Sequence, residues 1–151
     1  MQKSHYTKYL LMLICSALCM YIAMYFNTYE LGHVYFSWTR MYMTFIGVSA
    51  MALVMLFFMR DMYKNKTINI TIVSASLAVM MFSTFLVREQ KPISDIRWMK
   101  AMIPHHSIAI LTSSRADIKD PEVKQLAEDI IKAQEKEIKE MKKMIKRLED
   151  N

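Results

Sequence analysis

Residues 117–145, DIKDPEVKQLAEDIIKAQEKEIKEMKKMI, decide the fold of this chain. Asp120 stands where a helix N-cap belongs, and Pro121 takes the first helical position. Glu122 follows in the first turn, where a negative charge complements the helix dipole. No Gly or Pro occurs from there to residue 151. Leu126, Ile130, Ala133, Glu137, Met141 and Met144 recur at intervals of three and four and mark one face. Ile131, Ile138 and Ile145 widen that face, while Lys and Glu fill the opposite side, many at i,i+4 spacing. Upstream, Ser94 reads as an N-cap with Asp95 in the first turn, so an earlier helix runs from about 94 to 116. Pro104 lies inside it and removes one backbone donor, which predicts a kink or an opened ladder near residue 100. Residues 117–121 turn the two helices into a hairpin.

Before this hairpin the chain changes character. Three stretches, 9–29, 41–59 and 67–87, contain no charged residue. Each reaches the roughly 20 residues that an apolar helix needs to cross a bilayer. Tyr9, Tyr25, Tyr29, Tyr35, Trp38 and Tyr42 cluster near their ends, as interfacial aromatics do. With 54% apolar residues and only two Gly and three Pro in 151, the expected class is all-α. The expected organisation is a membrane domain over residues 1–88 and an extramembrane hairpin over 89–151. The first apolar run is longer than a signal-peptide core and lacks a small-residue cleavage site, so it reads as a retained anchor.

Lys3 and Lys8 precede the first span, and Arg60, Lys64 and Lys66 fill the second loop, whereas the first loop has only Arg40. The bias of Lys and Arg toward the cytoplasm places the first loop and the hairpin on the outer side. Arg88, Lys91, Arg97 and Lys100 after the third span pull the other way, but short loops govern topology more than a trailing domain. The net charge of +6 does not point to nucleic acid, because residues 88–151 mix fourteen Lys/Arg with twelve Asp/Glu. Cys15 and Cys19 both lie within the first span and make no disulfide framework.

A single hairpin cannot bury both of its apolar faces. A four-helix bundle formed by two chains is the simplest closure, and packing on the membrane domain is the competitor.

The chemistry is concentrated in Met102-Ile103-Pro104-His105-His106. Met102 is three residues from His105 and four from His106, so either imidazole can share a helix face with the thioether. The turn at 117–121 brings this segment opposite residues 131–138, with Gln134, Glu137 and Met141 within about a turn. A Met–His–Met set with Glu137 in support suits a soft ion such as Cu(I) or Ag(I). The plain alternative is that the methionines pack the core and the histidines are a solvated pair. Two weaker signals lie elsewhere. Cys15, Cys19 and Met12 with Met51 or Met55 offer a soft-ligand fragment inside the bilayer, or ordinary packing. His33 and Glu30 lie on the hairpin's side and can meet it, although His33 beside Tyr35 and Trp38 reads as interfacial anchoring. Arg40, at a span boundary, reads as snorkelling toward the interface.

The ordered string from Met102 to Ile110, then Asp120-Pro121-Glu122-Val123, Leu126-Ala127, Ile130-Ile131, Gln134, Glu137-Ile138 and Met141, resembles the domain-of-unknown-function 305 family. The resemblance covers residues 94–146 and extends, in the three spans plus one hairpin, to a membrane-anchored subgroup. It implies a ferritin-like helical bundle and bacterial periplasmic proteins that bind copper or silver through Met and His. On that resemblance Met102, His105, His106 and Met141 are metal ligands and Glu137 supports them. Many members carry Met where this chain has Thr112, and soluble relatives can carry the hairpin twice, which suits dimerisation here.

The expected function is therefore non-enzymatic. The protein captures Cu(I) or Ag(I) at the periplasmic face of the bacterial inner membrane, for metal homeostasis or resistance, as a homodimer. The alternative is a structural module whose Met/His row packs a dimer seam without metal. No nucleophile–base set, phosphate loop or dinucleotide fingerprint supports catalysis.

Overall fold

The computed structural model describes residues 2–150, with side chains from His5 onward. Lys3, one of the charges in the topology argument, lies outside the described side chains. The described chain is all-α: α1 (Gln2–Ala23), α2 (Trp38–Phe58), α3 (Lys66–Glu89), α4 (Asp95–Arg115) and α5 (Pro121–Glu149), with one 3-10 turn at Leu31–His33. Two compact units result. Residues up to 23 and 39–92 form one, and residues 24–38 with 93 onward form the other.

In the first unit, three helices are long and apolar enough to cross a membrane: His5–Ala23, Trp38–Phe58 and Lys66–Glu89. The first helix ends at Ala23, six residues before its uncharged run does. The Thr28 backbone N–H and hydroxyl both donate to the Tyr25 carbonyl, at 3.1 and 2.8 Å. A local turn thus takes the bonds a longer helix would need. Tyr9 is buried and donates its hydroxyl to the Ala52 carbonyl at 2.6 Å. Gly47 of α2 makes room for the Met20 thioether of α1, since a Cβ there would lie 2.9 Å from its sulfur. The α3 helix is capped by Asn65, whose side chain accepts from the Ile68 N–H, and it ends on Gln90 in the left-handed region.

In the second unit, α4 and α5 form the antiparallel hairpin. Ser94 takes the N-cap position of α4 without a side-chain bond, and α4 runs continuously through the buried Pro104. Asp120 caps α5 by accepting from the Glu122 and Val123 N–H groups at 2.9 and 3.0 Å. Replacing Asp120 with Ala is expected to cost about 1 kcal/mol, read as a lower melting temperature of the hairpin.

The face of α5 that packs is the one the sequence marks, shifted toward the side widened by Ile131, Ile138 and Ile145. Ala127, Ile138, Met141 and Ile145 are buried, and Ile131 and Leu148 pack against the core. Leu126 and Met144 face solvent. The seam thus runs 127, 131, 134, 138, 141, 145, 148, a strict alternation of four and three. On α4 the partner seam is Ile96, Met99, Ile103, His106 and Ile110, with the same alternation. Such spacing keeps one stripe facing a neighbouring helix along its whole length. Two cross-links set the register: His106 lies against Glu137, and the Lys100 ammonium bonds the Glu149 carboxylate at 2.6 Å.

Residues 24–38 belong to this unit and lie against α4. They cover a second side of that helix, where Ser107 is fully buried. A segment of the same chain thus covers part of α4.

Candidate metal centre

His106 sits at a seam position among Met99, Ile103 and Ile110, an imidazole in an otherwise apolar row. Its side chain is only 15% exposed, and Nδ1 lies 3.0 Å from Oε2 of Glu137, whose carboxylate is half exposed. The contact has the length of an ion pair but not the alignment of a hydrogen bond, so Nδ1 is a buried nitrogen with no hydrogen-bond partner. A buried polar atom left in this state is costly and needs an explanation. Met102, one helical turn before His106, packs against the hairpin core, and Met141, one turn after Glu137, is buried within it. The antiparallel register sets these two turns at the same level.

His105 behaves differently. Successive residues on a helix point about 100° apart, and His105 is exposed, its ring centroid 6.1 Å from that of His106. The structure thus brings His106 and Glu137 into contact, with Met102 and Met141 in the adjoining core, and turns His105 to solvent. Among the described residues no group of three His, Cys, Asp or Glu side chains could hold a metal. Any metal here would depend on thioether sulfur, which selects soft ions such as Cu(I) and Ag(I) over zinc or hard cations.

A second polar cluster lies on the other side of α4. His33, for which the sequence left open an interfacial anchor or a contact with the hairpin, makes the contact and is only 7% exposed. Its Nδ1 is 3.0 Å from Ser107 Oγ, which also accepts the Tyr29 N–H at 2.8 Å. Nε2 of His33 faces Glu30 at 3.6 Å. Nothing in the local sequence marks Ser107, because its partners lie more than seventy residues away. An open cleft of about 300 Å³ borders His33, rimmed by Glu30, Glu135, Lys139 and Lys142. Its balanced charge favours neither anion nor cation.

Burial pushes both imidazoles below the usual histidine range. For His33 the Lys142 ammonium adds to burial and Glu30 opposes it. For His106 Glu137 opposes burial and His105 adds to it. The unfolded chain therefore binds protons at these sites more readily than the folded one. Stability is full above about pH 6.5 and falls as the pH drops through that value toward the lower native values. The melting temperature of the hairpin unit is expected to be lower at pH 5.5 than at 7.5; equal values would overturn this account.

The model of a family described as a domain of unknown function (DUF305) matches residues 73–150, from within α3 to the end of α5. An uncharacterized protein of Acanthamoeba polyphaga mimivirus is 30% identical over 141 residues, spanning 89% of this chain and 91% of that protein. The similarity to it therefore extends beyond the residues the family model matches, into the apolar part of the chain. No solved structure matches the chain. On the match to more than half its length, the chain belongs to the DUF305 family.

Proposed function

We propose that this protein captures a soft monovalent metal, Cu(I) or Ag(I), on the outer side of a membrane, with Met102, His106 and Met141 as ligands and Glu137 in support. The observation that carries the reading is the buried Nδ1 of His106, unbonded in the seam, with the methionine-bearing turns of Met102 and Met141 at the adjoining level of the hairpin. Imidazole and thioether donors match such an ion, and Glu137 would orient the ring and offset positive charge. The exposed His105 is a second donor at the mouth of the site, reached by a side-chain rotation.

The sidedness belongs to the same proposal. Three crossings return the chain after α3 to the side of the α1–α2 loop, and residues 24–38 do form one unit with the hairpin. The Lys and Arg distribution assigns that side to the exterior, the periplasm for a bacterial inner membrane. Metal would be buffered or handed on there rather than consumed in a reaction.

The second reading, a methionine row that only packs, is favoured by one observation: Met141 is 7% exposed and lies in the core. In that reading the surface left for a second copy includes Val123, Leu126 and Met144 on α5.

A Cu(I) competition titration of the full-length protein in lipid nanodiscs separates the two. The wild type is compared with His105→Ala/His106→Ala. Stoichiometric binding lost in the variant, with helicity retained, is expected. Binding retained in the variant overturns the ligand assignment, and no binding by the wild type leaves the packing reading. The full chain is required because residues 24–38 complete the fold around α4.

A further inference from the structure

Ser107 follows His106 directly but faces another side of α4. Its hydroxyl has one proton and two lone pairs. The Tyr29 N–H occupies one lone pair at 2.8 Å, so the proton is available to His33 Nδ1 at 3.0 Å. Glu30, facing Nε2 at 3.6 Å, favours the tautomer with its proton on Nε2, which leaves Nδ1 to accept from Ser107. Ser107 is 0% and His33 7% exposed, so removing either side chain from the docked form would leave the other a buried polar group short of a partner. The pin also fixes the rotation of α4 about its axis. One residue is about 100° of helix, so the rotation that seats Ser107 on residues 24–38 is the one that turns His106 toward Glu137. These residues also join α1 directly to α2.

We propose that docking of residues 24–38 on Ser107 and soft-metal binding at His106 form one coupled equilibrium, with Ser107 and His33 as positioning residues. This rests on the metal reading above. Whatever factor docking contributes to metal affinity, bound metal must return to docking, because coupling free energies are reciprocal. Metal loading would then be felt in the segment that connects the two apolar helices.

The test uses the full-length protein in lipid nanodiscs, Ag(I) as the probe and amide hydrogen exchange of the peptide containing Tyr29. Saturating Ag(I) is expected to slow that exchange on the order of tenfold in the wild type, a comparison that needs no substitution. His33→Leu should speed the exchange, and it should weaken Ag(I) binding in proportion to the docked fraction it removes. His33→Asn, which keeps an acceptor at the Nδ1 position, should restore both. Ag(I) bound with Tyr29 exchange unchanged overturns the coupling. So does exchange in His33→Leu at the unprotected rate with unaltered Ag(I) affinity, the result of a merely structural pin. A wild type that binds no Ag(I) overturns the metal reading, and the coupling with it. In that case the metal-free effect of His33→Leu still reports the pin by itself.

Discussion

His106→Ala is expected to weaken Cu(I) binding at least ~100-fold, whereas His105→Ala weakens it less than about tenfold. The two rings are adjacent in sequence but opposite in circumstance: His106 is buried in the seam beside Glu137, and His105 is in solvent. Losing a group that merely orients a ligand costs about 10- to 100-fold in affinity, so loss of the ligand itself should exceed that range. Glu137→Gln removes the carboxylate charge and keeps the shape, and it should fall between the two at about tenfold. Alanine favours helix, so the hairpin should stay folded in both histidine variants. Competition titrations of the three single variants, each in the full chain, check the order. A loss concentrated in His105→Ala would move the site to the exposed side of α4.

What the sequence revealed and what it hid follow from the range of the interactions. The start of α5 was legible because Asp120, Pro121 and Glu122 act within one turn. The seam of α5 was legible only in part. Residues 126, 130, 133, 137, 141 and 144 and residues 127, 131, 134, 138, 141, 145 and 148 are neighbouring stripes that share Met141, and Ile131, Ile138 and Ile145, read as widening the first, belong to the second. Lysine and glutamate border both, and spacing within one helix does not choose between them. The choice is made by α4, whose stripe of Ile96, Met99, Ile103 and Ile110 also has His106 in phase. For the same reason the sequence could group His105 with His106 while the helical phase separates them. Residues 24–38 were the hardest to place. A serine among apolar residues carries no sign that a histidine and a backbone amide from a distant loop will meet it.

Ile103→Ala is expected to be the most destabilising single substitution in the hairpin unit. Ile103 is 0% exposed and lies at the centre of the core shared with Ile138, Met141 and Ile145. Truncating such a side chain costs about 2–5 kcal/mol, and the upper part applies where neighbours cannot relax into the cavity. Here Ile103 is flanked along α4 by the fully buried Pro104 and Ser107, the latter held by residues 24–38. Met144→Ala, on the exposed side of α5, should stay within about 0.5 kcal/mol. Urea titrations followed by amide exchange of α4 and α5 would read both. The weakened variant also gives the most sensitive test of metal capture. A ligand that binds only the folded state stabilises it by about 2.7 kcal/mol at a hundredfold excess over Kd. Ag(I) at that level should therefore recover a large part of the loss in Ile103→Ala and none of it when His106→Ala is added. If the Met/His row serves packing alone, Ag(I) restores nothing in either variant.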